Sequence, residues 1–336
     1  MKGSVKKLGL ICLVTALLPV LLFSCTSTPE TTSPATPEST PPEPAATTPP
    51  AVPESTPPPP IEIIDQLGRT VIIKDIPQKI ISLAPSNTEI IYALGLDERL
   101  LAVTDYCDYP PEAEEKPSIG GFSTPNMEKI IALDPDLILM SGTLLTGDFL
   151  SKLENYGLTV VALVPRTFSD ILDGIALIGT ATGETAKAES LLTGMRERIN
   201  AITAKTNGLT ENERPSVFYL IWHDPLMTSG GDTFINEMVE IAGGKNIFKE
   251  VSGAPTVELE VVITRNPQVM IAGTGMGSGE ELTLQFLESE ARLKDTDAVK
   301  NGRIYGIHID LTGRTSPRIV DGLELFARAI HPELFK

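Results

Sequence analysis

One stretch of this chain occurs twice. TPNMEKIIALDPDLILMSG, residues 124 to 142, and TVELEVVITRNPQVMIAGT, residues 256 to 274, align without a gap. The alignment sets Glu128 over Glu260, Ile130-Ile131 over Val262-Ile263, Asp134-Pro135 over Asn266-Pro267, and Leu137-Ile138-Leu139 over Val269-Met270-Ile271. Each copy reads as an amphipathic helix stopped by an Asx-Pro turn, because a residue before proline is driven out of the helical region. A short apolar run follows, of the kind that a parallel strand buried on both faces requires. Helix-turn-strand units are common enough to match by chance, but the shared Glu and Pro offsets favour duplication. Two copies predict two similar α/β lobes, each with a glutamate at one equivalent point.

The N-terminus bounds the compartment. Lys2, Lys6 and Lys7 precede the apolar run LGLICLVTALLPVLLF, and Ser24-Cys25 follows it. A basic n-region, an apolar h-region and a small residue before cysteine predict a lipoprotein signal peptide over residues 1–24 and a lipid on Cys25. Buried acyl chains add about 0.8 kcal/mol of anchoring per methylene, so the mature chain is expected outside the cytoplasm, held to the cell membrane through its lipid. The alternative is an uncleaved anchor ending near Phe23. Residues 26 to 60 hold 13 of the 28 prolines and no aromatic residue, lysine or arginine. Such a segment buries no core and extends at about 3.1 Å per residue, so residues 25–60 read as a lipidated tether with a reach of about 100 Å.

The 27 basic and 44 acidic residues give a formal charge of −17, more negative once the three signal lysines leave. An acidic surface argues against nucleic acid as a partner. Cys107 is the one cysteine of the globular part, so no disulfide framework exists there, and it reads as a small core residue.

Three further segments follow the tether. Residues 61–168 form an N-terminal α/β lobe: IEIIDQLGRTVIIK is a hairpin turning near Leu67-Gly68, and KIISLAPSNTEIIYALGL is strand, loop and helix, with Ser86 and Glu89 as a capping box. Residues 169–206 lack proline and keep helical apolar spacing, predicting a bridging helix of about 57 Å at about 1.5 Å per residue. Two helices with a turn between Gly179 and Gly183 are the alternative. Residues 207–336 form a C-terminal α/β lobe, in which SVFYLIW is the first strand, DTFINEMVEIAGG a helix capped by Asp232, and PRIVDGLELFARAI the closing helix.

ISLAPSNTEIIYALGL, TDYCDYPPEA, GGFSTPNMEKIIALDPDLIL, DPLMTSGGDTFINEMVEIAGGKNIF and TSPRIVDGLE together resemble the periplasmic binding proteins of ABC importers for cobalamin, ferric siderophores and haem, nearest to the cobalamin branch. The resemblance runs from about Ile61 to the C-terminus. It implies two Rossmann-like lobes bridged by one long α-helix, with a ligand cleft between them and no catalysis or cofactor. It also implies an ABC permease with its ATPase as partner, a corrinoid as ligand, and a chain acting as a monomer. The permease-docking glutamates of the family correspond to Glu128 and Glu260, which the internal repeat pairs independently; a solvated helix glutamate is the alternative for each.

For ligand binding the resemblance carries over Tyr106, Phe122, Asp310 and Arg314, with Trp222 added by its place at the end of the IW strand. Aromatic faces with a few fixed polar groups suit a large, flat, amide-bearing macrocycle. Ser141, Met227 and Ala254 depart from aromatic positions of the family's cobalamin binder, which thins the stacking surface. A ferric siderophore or haem is therefore the runner-up ligand, with Arg166, Arg265 and Arg314 as candidate grips. A stalked surface receptor is the alternative of another class. His223 or His308 is a candidate axial ligand to cobalt, with a structural role as the alternative. All three histidines follow the bridge, so they cannot form a cage shared between lobes, and no metal site of the protein's own is expected. AGTGMGSGEE lacks the spacing and lysine of a phosphate loop, and no hydrolase or metalloprotease motif is present, so an enzyme is not expected.

Overall fold

A computed structural model describes residues 59–142, 148–276 and 281–336; the predicted signal peptide, Cys25 and nearly all of the tether lie outside them. No described helix is long and apolar enough to cross a membrane.

The N-terminal lobe begins with the expected hairpin, β1 (Ile61–Ile64) paired antiparallel with β2 (Thr70–Ile73), turning through Gly68 at φ +78°. Its sheet starts with β3 (Ile80–Ser82), which leads through the helix α1 (Pro85–Ala93) to β4 (Leu100–Ala102). The short pair β5 (Gly120–Gly121) and β6 (Thr124–Pro125) comes next, then α2 (Met127–Ala132), β7 (Leu137–Ser141), α3 (Phe149–Asn155) and β8 (Val160–Leu163). The strands lie in the order β4-β3-β7-β8 and run parallel.

Two helices, α4 (Phe168–Ala181) and α5 (Thr185–Thr206), lead into the C-terminal lobe. That lobe contains β9 (Ser216–His223), β10 (Leu226–Thr228), α6 (Phe234–Ile241), β11 (Lys245–Asn246), α7 (Leu259–Arg265), β12 (Val269–Thr274), α8 (Leu282–Ser289), α9 (Asp297–Lys300), β13 (Ile304–His308), α10 (Ile309–Gly313) and α11 (Ile319–Ile330). Its sheet order is β10-β9-β12-β13, with β11 also on β9; β10 alone pairs antiparallel.

The repeat is real in three dimensions. The two copies become α2-β7 and α7-β12, and in each lobe the repeated strand sits centrally, every residue buried. Asp134 (φ +48°) and Asn266 (φ +43°), superposed by the sequence alignment, are the two non-glycine residues with positive φ among the described residues. Asx side chains tolerate this left-handed turn, and the following proline prevents the helix from continuing. Alternation along the strands divides each lobe into layers. Leu137 and Leu139 of β7, with Val269 and Ile271 of β12, join one apolar cluster that includes the α4-α5 pair; Ile138 and Met140, with Met270 and Ala272, face two separate outer cores. A single continuous core therefore runs beneath both lobes, and each large aliphatic side chain buried in it contributes about 1.5–3 kcal/mol.

The bridge differs from the uninterrupted helix of residues 169–206. It breaks at Thr182-Gly183-Glu184, where Gly183 takes φ +76° and Thr182 Oγ1 turns back to the Ile178 carbonyl at 2.7 Å. α4 then folds against α5 so closely that a Cβ at Gly179 would lie 2.3 Å from that of Ala188. α4 packs on the N-terminal lobe and touches α6 where Phe168 N donates to Glu237 Oε2 at 2.6 Å, while α5 packs along α6 and α11. The apolar spacing is continuous in sequence because both helices face the same core. Two caps also differ. Thr233, not Asp232, caps α6 by accepting from Asn236 N, while Asp232 accepts from Gly253 N at 2.6 Å. α1 has no Ser86–Glu89 capping box: its N-cap is Ala84, and Glu89 is used elsewhere.

Candidate functional site

A cavity of about 850 Å³ opens between the lobes. Its walls include the segments that leave the parallel strands: Ala84-Pro85-Ser86 after β3, Ser141-Gly142 at the end of β7, Leu163-Val164-Pro165 at the end of β8, Met276 after β12, and Ile309, Asp310 and Gly313-Arg314-Thr315 after β13. Open parallel sheets present ligands at the carboxyl ends of their strands, where loops diverge, and here two such edges face each other. The volume lies within the range of small-molecule sites.

Four of the five expected ligand residues converge on this cavity: Tyr106, Phe122, Asp310 and Arg314. Tyr106 is 62% exposed, leaving its ring face uncovered. Phe122 is seated on Gly142, at φ +74°, where a Cβ would come 2.5 Å from the ring, so only glycine allows this approach. Trp222 does not line the cavity; its indole Nε1 donates to the Asp224 carbonyl at 2.7 Å, within its own turn. Of the departures from the aromatic pattern, Ser141 lines the wall, whereas Met227 lies in β10 and Ala254 is exposed.

The polar wall is an ion-pair cluster that spans the lobes. Arg314, leaving α10, reaches Asp310 Oδ1 through Nε at 2.9 Å, Asp108 Oδ1 through Nη1 at 2.6 Å, and Glu89 Oε1 at 3.1 Å. Arg318 donates to both Glu89 oxygens, at 2.5 and 2.9 Å, and Ser316 Oγ adds a third donor at 2.5 Å. The Arg318 guanidinium lies 3.6 Å from the centre of the Tyr109 ring, which adds a cation–π contact to the same joint. Glu89 and Asp108 belong to the N-terminal lobe and the arginines to the C-terminal lobe. The hydrogen bond from Arg314 is the largest influence holding the Asp108 carboxyl below its ordinary 3.8.

Glu89, Asp108, Tyr109 and Arg318 escape a reading based on local patterns, since their partners lie more than 200 residues away. One signal was available: Glu89 sits within the buried run Ser86–Ile91 of α1, and a carboxylate inside such a run needs a partner.

The histidines take separate places. His223 Nδ1 is buried without a hydrogen-bond partner, beside Phe286. His308 Nδ1 accepts from Asp310 N at 3.3 Å, and His331 bonds Glu333 and the Gly243 carbonyl. Cys107 is buried against Thr88 and Thr104, and burial pushes its thiol pKa up. Of the other candidate grips, Arg265 is paired with Glu250 at 2.5 Å and covers the Phe248 ring.

Glu128 and Glu260 are both exposed, each in the first turn of the helix that feeds its lobe's central strand. Such a helix runs back along the strand it feeds, so its first turn lies toward the strand's carboxyl edge, the edge that bears the cavity. Glu260 meets Arg292 Nη1 at 3.3 Å; Glu128 forms no ion pair among the described residues.

A family model described as periplasmic binding protein matches residues 80–311. Among curated proteins, an uncharacterized ABC transporter substrate-binding lipoprotein of Bacillus subtilis, YvrC, is 34% identical over 281 residues, covering 82% of this chain and 87% of that protein. A solved structure of a possible iron-binding, periplasmic solute-binding protein from Staphylococcus epidermidis is similar with a TM-score of 0.67 at 30% identity, covering 76% of this chain and 100% of the other. The periplasmic vitamin B12 binding protein BtuF of Vibrio cholerae is similar with a TM-score of 0.63 at 28% identity, covering 78% and 99%.

Proposed function

The chain belongs to the periplasmic binding protein family, and we propose that it is the lipid-anchored substrate-binding component of an ABC importer whose cargo is a corrinoid. It is a solute-binding protein and not an enzyme: it captures a molecule and hands it on unchanged. The observation that carries the ligand reading is the interlobe cavity of about 850 Å³, with the rings of Tyr106 and Phe122 on one side and the Asp310 carboxylate on the other. Rings supply desolvated contact for a flat macrocycle, and a carboxylate accepts from the amide N–H groups at its periphery. The likeness to a vitamin B12 binding protein supports the same ligand class.

An iron chelate or haem is the second reading, favoured by the likeness to a possible iron-binding protein. Carboxylate and catecholate ligands call for free cations, and Arg314 at the cavity is already paired with three carboxylates. The cluster weighs toward the corrinoid.

Cys25 carries the lipid in this proposal, and residues 26–60 let the lobes reach a permease in the same membrane. Glu128 and Glu260 dock one on each side of the cleft. Calorimetric titration with cyanocobalamin, cobinamide, haem and a panel of ferric siderophores tests the ligand: saturable binding of the corrinoids alone is expected, and heat from an iron chelate alone would move Tyr106 and Phe122 into a chelate pocket. Uptake by cells carrying Glu128→Lys with Glu260→Lys tests docking. Transport should fail while ligand affinity persists, and undiminished uptake would return both glutamates to the solvated surface.

A further inference from the structure

Arg314 and Asp310 are the charged side chains among the described residues that line the cavity. The guanidinium is committed on every side: Nε to Asp310, Nη1 to Asp108 and Glu89, and Nη2 to Asp108 at 3.2 Å. Arg318 adds a second positive charge, but both of its bonds go to Glu89. Three carboxylates thus face two guanidiniums, and the cluster carries one net negative charge beside the ligand space. Asp108 is half exposed, 51% by its side chain, and meets the cavity through Arg314, whereas Asp310 stands in the wall itself.

We infer that Asp108 and Asp310 set the charge specificity of the cleft: together they outweigh Arg314 and leave a net negative charge beside the ligand space, so the site takes a neutral, amide-bearing macrocycle and rejects the same macrocycle bearing carboxylates. Asp310 acts directly on the ligand. Asp108 is a positioning residue, acting through Arg314, both of whose Nη groups donate to it. The inference rests on the cleft being the ligand site, and concerns the sign of the ligand's charge whichever macrocycle is carried.

Two matched pairs of probes test it on the purified chain at low ionic strength: cyanocobalamin against its monocarboxylic acid, in which one peripheral amide is hydrolysed, and haem dimethyl ester against haem. The neutral member of whichever pair binds should be favoured by about tenfold or more, because a like charge brought against a carboxylate in a partly desolvated site is strongly disfavoured. Asp108→Asn should cut that preference by about tenfold by releasing Arg314 toward the acid, and Asp108→Glu should restore it. Added salt should improve binding of the acid to the native chain, since screening weakens repulsion; this slope should vanish or reverse in Asp108→Asn, which a merely structural role for Asp108 would not produce. Equal affinities for both members, or a preference unchanged in Asp108→Asn, would overturn the inference. Binding of the porphyrin pair alone with the neutral member favoured would end the corrinoid proposal and leave the charge rule standing. Corrinoid binding without preference would do the opposite, and silence from both pairs would remove both.

Discussion

Removing the charge of Glu89 should loosen the joint between the lobes. In Glu89→Gln the shape is kept, but one side-chain oxygen becomes a donor that faces Arg314, Arg318 or Ser316. Glu89 is 2% exposed by its side chain and accepts four hydrogen bonds, all from the other lobe. Arg314 retains Asp108 and Asp310, whereas Arg318, 19% exposed, forms no other ion pair among the described residues. Breaking a buried pair by deleting one partner costs about 3–5 kcal/mol. Arg318 keeps the Tyr109 ring and some water, which places the expected loss near the lower end, at about 3 kcal/mol. For a folded unit of this size that corresponds to a fall in Tm of about 5 °C. Urea denaturation of the native chain, Glu89→Gln, Arg318→Met and the double variant forms a cycle. The double variant should be much less impaired than the sum of the two single losses, because it leaves no uncompensated charge. Hydrogen exchange should rise in α1 and α11, the two sides of the joint, before it rises in β7 or β12. A loss below about 1 kcal/mol, or strictly additive losses, would refute the claim that this carboxylate holds the lobes together.

Acid should weaken the same joint in a defined direction. The Asp108 pKa is held below 3.8 in the folded state by Arg314, so its contribution is present above that value and is lost as pH falls through the depressed one. The stability gap between the native chain and Asp108→Asn should be constant near neutrality and close below about pH 4; a gap that widens in acid would contradict the assignment. Gly179→Ala places two Cβ atoms 2.3 Å apart and should cost about 1–2 kcal/mol despite the better helix propensity of alanine, and adding Ala188→Gly should recover most of the loss in thermal melts. Tyr219→Phe removes a buried bond of 2.8 Å to Thr312 and should cost about 1 kcal/mol. In the native chain burial raises the phenol of Tyr219 from an ordinary 10.0 to about 12, so its ultraviolet signature should appear late in an alkaline titration and be missing in Tyr219→Phe.

What the sequence discloses follows the range of the interactions involved. The repeated unit is legible because its causes are local: a proline stops each helix, an Asx residue supplies the left-handed turn at 134 and 266, and the run after it is apolar on both faces because its strand is covered on both. The cavity lining is legible in part, since segments that follow parallel strands are where ligands meet such a fold: Tyr106 follows β4, and Asp310 and Arg314 follow β13 on α10 and at its end, whereas Phe122 sits in the β5-β6 turn. The break in the bridge is harder to read. Helical spacing registers which face is buried and not whether the axis is continuous, so α4 and α5, folded back on one core, give the same pattern as a single rod. Glu89 exposes the deeper limit. From its neighbours it is the fourth residue of a Ser-x-x-Glu cap, and a capping box would place its carboxylate on the Ser86 amide. Its burial among Thr88, Ile90 and Ile91 instead turns it toward a lobe more than 220 residues further along, where two guanidiniums outweigh one backbone N–H. A duplicated fold explains why that choice exists at all. Duplication supplies two equivalent edges facing each other, and the residues that distinguish one edge from the other are then free to pair across the gap. The acidic side of that pairing comes from the first lobe and the basic side from the second, so neither half of the sequence carries the joint by itself.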